Sequence, residues 1–231
     1  MNRSIHNPVL PDLSPRGPHR RGAGRRPLVS FAFLAVLLSA CVTGGPATVT
    51  RAMAVSGGSV VVAGPPGYCI DRAVSRDKPD GAFVLFGTCA ALSGSRAAGQ
   101  PASPALLTVS VSSGAPDGET FAESLPALAS FMRSVPGRAA LSRSGDAESV
   151  SVEDTRIKGD VMFLRVRDRS DASDRPVEPE YWRAILRVEG HIVTLTALSP
   201  SEQPVAATDR FRALEALVRA MRAANKGSTA D

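Results

Sequence analysis

Apolar and polar side chains alternate with a period of two through residues 148–199. Val150 and Val152 stand between polar neighbours, and Met162, Leu164 and Val166 repeat the pattern beyond Gly159-Asp160. Trp182, Ala184, Leu186 and Val188 then lead across Glu189-Gly190 to Val193, Leu195 and Ala197. Successive side chains of a strand point to opposite faces, so this stretch predicts a three- or four-stranded antiparallel meander with one buried face. The turn at 189–190 is short enough to fix its register. Strand signals also occur earlier. Val60-Val61-Val62 stops at the turn cluster Gly64-Pro65-Pro66-Gly67, Ala82-Phe83-Val84-Leu85-Phe86 runs up to Cys89, and Leu106-Leu107-Thr108-Val109-Ser110-Val111 follows a loop rich in Gly, Ser, Ala and Pro.

Two segments carry the helical period. Phe121, Leu125, Leu128 and Met132 recur on one helix face, with Pro126 restricting how regular that helix is, and Val135-Pro136-Gly137 predicts its end before a short second helix at 138–142. A closing helix from about Pro204 presents Phe211, Leu214, Val218 and Met221 on one face and stops at Asn225-Lys226-Gly227. Strands, helix, meander and helix in this order predict an α+β fold, an antiparallel sheet with a C-terminal meander covered on its inner face by two main helices. Residues 58–226 form the expected single domain, with 227–231 as a tail. The stretch 41–57, small and without a dense apolar pattern, reads as a flexible tether.

Charge changes the picture at the start of the chain. Residues 1–40 hold six of the 27 Lys and Arg residues and one of the 22 acidic residues, so the rest of the chain is formally neutral. A nucleic-acid partner needs a clustered basic face, and this body offers none. The basic stretch runs into an uncharged apolar run at 27–40, the order of a secretory signal peptide and shorter than the ~20 residues that span a bilayer. Leu38-Ser39-Ala40-Cys41 at its end resembles the lipobox of bacterial lipoproteins. That resemblance implies cleavage before Cys41, a diacylglyceryl thioether on its sulfur and a membrane-anchored protein facing the periplasm. The alternative is an ordinary signal peptide with Cys41 as a free thiol. Val42, rather than aspartate, follows the cysteine, which resembles lipoproteins sorted to the outer membrane.

With Cys41 lipidated, Cys69 and Cys89 remain. An oxidising compartment permits only one pairing between them, against the alternative of two buried free thiols. The bond would bring the 60–63 and 82–88 strands together in one sheet, with Cα atoms about 4.4–6.8 Å apart.

Beyond the leader, the chain resembles the Mog1/PsbP-like fold group in pattern over about residues 58–224. The likeness rests on Gly64-Pro65-Pro66-Gly67-Tyr68, the helix near 121–133, a strand interrupted at Ile157-Lys158-Gly159, the Tyr181-Trp182-Arg183 strand and the closing helix. This resemblance implies a non-enzymatic assembly or binding protein.

Catalytic patterns are sparse. His191 is the only histidine beyond residue 40, sits just after a hairpin turn and is expected to be solvated, and no GxSxG elbow or phosphate-cradling loop occurs. No cysteine and histidine spacing suits a metal. Asp168, Asp171, Asp174, Glu178 and Glu180 are interleaved with Arg165, Arg167, Arg169, Arg175 and Arg183, which predicts a solvated, salt-bridged loop rather than a calcium site. Tyr181 and Trp182 must point to opposite sheet faces, so one is expected in the core and the other free for recognition. The expected function is a lipid-anchored, non-catalytic periplasmic module that binds an envelope component and needs no cofactor. A carrier of a small apolar ligand and a hydrolase with an unrecognised site are the alternatives.

Overall fold

Residues 49–114, 120–170 and 176–226 are described by a computed structural model. Cys41, the leader 1–40, Asp171, Asp174, Arg175 and the tail 227–231 lie outside these residues. The fold is α+β, as the alternating and helical periods predict. The described residues hold ten strands: β1 Ala52–Val55, β2 Val60–Ala63, β3 Tyr68–Ile70, β4 Arg76–Lys78, β5 Gly81–Thr88, β6 Leu106–Ser112, β7 Val150–Lys158, β8 Val161–Asp168, β9 Glu180–Val188 and β10 His191–Leu198. The helices are α1 Cys89–Ser93, α2 Phe121–Arg133, α3 Val135–Leu141 and α4 Ala207–Ala224. Strands β3 to β10 form one antiparallel sheet in the order β3-β5-β6-β10-β9-β8-β7, with β4 pairing the other end of β5 on the same side as β3.

The meander runs β7-β8-β9-β10, with two-residue turns at 159–160 and 189–190, and β10 then pairs β6 rather than ending the sheet. One face of this sheet buries Val84 and Phe86 of β5, Leu107 and Val109 of β6, Trp182, Ala184 and Leu186 of β9 and Val193 and Leu195 of β10 beneath α4, whose Phe211, Leu214, Leu217 and Met221 complete the core. Phe211 stacks tilted on Trp182, ring centroids 4.6 Å apart. The opposite face is not left to solvent. Met162, Leu164 and Val166 of β8 and Tyr181 and Ile185 of β9 pack there against Leu125 and Ala129 of α2 and Leu141 of α3. The expectation of one buried face is therefore corrected. Strands β8 and β9 carry apolar residues at odd and even positions alike, and only a sheet covered on both sides buries both sets.

Two boundaries also move. The stretch expected to be tether contains β1, whose Val55 is fully buried and which pairs β2 from Ala52↔Ala63 to Val55↔Val60. Because β2 finds its partner in β1, it does not join β5. The strand beside β5 near the disulfide is β3, which pairs Tyr68↔Thr88 and Ile70↔Phe86. Its three residues are too short a signal to show a period. The Cys69–Cys89 bond forms, with Cα atoms 4.8 Å apart, and ties β3 to the first residue of α1. Helix α2 accommodates Pro126 and ends at Ser134, whose hydroxyl accepts from Gly137 N–H to start α3. Pro136 does not end a helix but falls in the first turn of α3, where its missing N–H has no intrahelical partner to lose.

Candidate functional site

The residues singled out for recognition are both interior. Tyr181 is 5% exposed on the α2 side and Trp182 is 3% exposed on the α4 side, so the alternation holds and the expected exposed aromatic does not exist. Burial pushes the Tyr181 hydroxyl above the ordinary tyrosine range. Trp182 carries Arg156 over its ring at 5.1 Å, a cation–π lid that replaces an exposed face.

Two of the carboxylates interleaved with arginines at the ends of β8 and β9, Asp168 and Glu180, are largely withdrawn from solvent. Glu180 accepts from Arg167 and from Arg210 of α4, each at 2.7 Å. Arg210 is 5% exposed, and burial lowers its basicity even though Glu180 opposes that shift. Asp168 is 2% exposed and accepts from the Ser170 and Arg143 backbone N–H groups. The solvated loop expected from spacing is thus corrected for these two carboxylates. Arg210 lies thirty positions from Glu180, and nothing local in the sequence announces that partner. Among the described residues no cluster of His, Cys, Asp or Glu is arranged to hold a metal ion. Nor is any helix among them long and apolar enough to cross a membrane.

Two open grooves stand out among the described residues. The first, about 420 Å³, is lined by Ser56, Gly57, Asp77, Lys78, Gly81, Ser113 and His191. His191 is only partly exposed, because the β1–β2 hairpin lies against it. Its Nδ1 is 2.8 Å from the Ser112 carbonyl oxygen and its Nε2 is 3.2 Å from Ser59 Oγ. A carbonyl oxygen can only accept, so Nδ1 donates to Ser112, and Nε2 faces the serine hydroxyl. Ser59 Oγ also lies 2.8 Å from the Ser56 carbonyl oxygen, at a turn where Ser56 and Gly57 both have positive φ. Asp77 accepts from Ser56 N–H and holds that turn against β4.

The second groove, about 400 Å³, lies between the outer edge of β7 and the junction of α2 with α3. Val150, Ser151 and Val152 form one wall and Arg133 and Arg138 stand at the other. Arg138 donates through Nε to the Ala147 carbonyl and through Nη1 to the Arg133 backbone carbonyl, which holds the Arg138 side chain between the start of β7 and the end of α2. Arg138 also meets Glu148 at 3.2 Å, whereas Arg133 is exposed and has no ion pair among the described residues. Phe131 and Val135, on either side of Arg133 in sequence, are 44% and 60% exposed. Sequence reasoning missed this groove, because an edge strand and a helix corner meet in it only through the order of the sheet. Compared with known proteins, the chain matches no family model and no curated protein.

Proposed function

We propose that this protein is an exported lipoprotein, anchored through Cys41, whose α+β domain is a non-catalytic binding or assembly module of the periplasm. The observation that carries the reading is the basic leader and apolar run ending in Leu38-Ser39-Ala40-Cys41. The Cys69–Cys89 bond supports it, since disulfides persist in oxidising compartments. Val42 after the cysteine favours the outer membrane. Two or three acyl chains at ~0.8 kcal/mol per buried methylene hold such a protein at a bilayer essentially permanently. Radiolabelled palmitate is expected to enter the wild-type protein and not Cys41→Ala, which moves to the soluble fraction. Label in the variant would end the anchor reading. In-cell crosslinking and pull-down are expected to recover a specific envelope partner, and repeated recovery of none counts against the binding module.

The carrier alternative asked for an apolar cavity, and neither groove answers that description. The hydrolase alternative has one specific observation in its favour, the Ser59 and His191 pair. In such an enzyme Ser59 Oγ would attack an acyl carbonyl while His191 Nε2 took its proton and passed it to the leaving group. The serine's single proton lies nearer the Ser56 carbonyl, which is why binding stands first. Labelling of Ser59 by a fluorophosphonate probe, abolished by Ser59→Ala and by His191→Ala, would reverse that order.

A further inference from the structure

We infer that the groove along β7 takes the carboxyl-terminal end of an extended polypeptide, which adds to the sheet as a strand beside Val150–Val152. The inference rests on the binding-module reading and gives that module its site and its ligand class.

Among the described residues β7 is the last strand of the sheet, paired only with β8. Its register decides which backbone groups are free. Arg169 N–H donates to the Ser149 carbonyl, which makes 149 and 169 a hydrogen-bonded pair, while Val150 faces Asp168 and Val152 faces Val166. In an antiparallel ladder hydrogen-bonded and non-hydrogen-bonded pairs alternate, so Val150 and Val152 turn their backbone groups away from β8. Asp168 N–H agrees, since it donates to the Pro179 carbonyl on the other side. The Val150 N–H is taken by the Ala147 carbonyl. What remains along the groove is the Val150 carbonyl and the N–H and carbonyl of Val152, an acceptor, a donor and an acceptor in the spacing that an added strand matches.

The rest of the edge is defended. The register shifts between Val152 and Asp154, and beyond that bulge Asp154, Arg156 and Lys158 place charges along the strand, the usual means of blocking edge pairing. Only the short stretch before the bulge is open, and it suits the end of a chain better than a strand that passes through. Charge fixes the direction. An added strand running antiparallel to β7 ends at the start of β7, where Arg138 and the unpaired Arg133 stand. A terminal carboxylate there meets a guanidinium, the pairing that arginine geometry favours.

A fluorescein-labelled library of random hexapeptides with free carboxyl termini, titrated against the full mature protein in detergent micelles, tests this by anisotropy. Selected peptides are expected to bind in the micromolar range, to slow hydrogen exchange at residues 149–153, and to lose at least tenfold in affinity on C-terminal amidation or with Arg133→Ala. Val152→Pro is the sharper variant. Its N–H is turned away from β8, so proline leaves the β7–β8 ladder intact and removes the central donor. It is expected to fold, as judged by an unchanged thermal transition, and to bind none of the selected peptides. Failure to select any peptide, indifference to amidation, or full binding by a folded Val152→Pro overturns the inference. A partner recovered by crosslinking that maps to another surface overturns it too, while leaving the binding module in place.

Discussion

Glu180 stands between two arginines that differ in burial, and that difference decides what removing each would do. Arg210 is enclosed beneath α4, whereas Arg167 has about a third of its side chain exposed and also lies 3.6 Å from Glu153. Glu180→Ala strands a buried guanidinium and is expected to cost about 3–5 kcal/mol in urea unfolding. Arg167→Ala leaves the Glu180 and Arg210 pair intact and is expected to cost ~1 kcal/mol or less. Equal losses would show that Arg210 does not depend on Glu180. Tyr181 makes a pH prediction at the same scale. Burial raises its folded-state pKa above the ordinary value of 10.0, so its contribution to stability is complete below that pH. As pH rises past 10 the unfolded chain loses this proton first, and stability falls until the folded state titrates as well. Tyr181→Phe is expected to flatten the alkaline limb of the stability curve, and an unchanged limb would assign it to other groups. The residue scale is where the sequence misled most. Alternation put Tyr181 and Trp182 on opposite faces correctly, but the inference that one is exposed assumed a layer on one side only.

Elements were more legible where they were long. The meander strands and α4 stand close to where their periods placed them, whereas β3 and β4, three residues each, were invisible. β4 is exposed at every position and is held by backbone pairing with β5 and by the Asp77 bond to Ser56 N–H, not by burial. Asn225, read as a helix stop, does more than end α4. Its side-chain amide accepts from Val61 N–H at 2.9 Å and donates to the Val61 carbonyl at 2.9 Å, so it pairs with β2 as a strand residue would. It thereby fastens the β1–β2 hairpin to the helix. Asn225→Ala leaves both Val61 groups without that partner and is expected to cost about 1–3 kcal/mol. Amide exchange should quicken at Val61 while the β8–β9 ladder stays unchanged. Loss of protection throughout the sheet would mean that the hairpin is not a separate attachment.

For the molecule as a whole, the α+β class and the disulfide were within reach of the sequence, because both rest on strong local signals. The order of the sheet was not. It depends on β10 choosing β6, a pairing made across a long stretch of chain that carries no mark in either partner, and on β2 turning back on β1, which leaves the place beside β5 to β3. The candidate grooves follow from that order and were hidden with it. The Cys69–Cys89 bond closes a loop of sequence separation 20, which on the chain-entropy model contributes ~3 kcal/mol. If Cys41 carries the proposed thioether, thiol titration of the unfolded wild-type chain is expected to find no free thiol before reduction and two after. The Cys69→Ser, Cys89→Ser variant should unfold at lower urea yet keep the membrane attachment proposed through Cys41.

The two faces of the sheet hold unequal cores, the larger under α4 and the hairpin, the smaller under α2 and α3. Cooperative units of a protein open at free energies set by what each buries. The α2–α3 layer should therefore detach as a unit, exposing Leu164 and Ile185, while α4 remains seated. In native-state exchange at low urea the amides of α2 and α3 would form a group with lower opening energy than those of α4. A ligand seated beside β7 would close that gap, so that occupancy is recorded as rigidity in a layer the ligand barely touches.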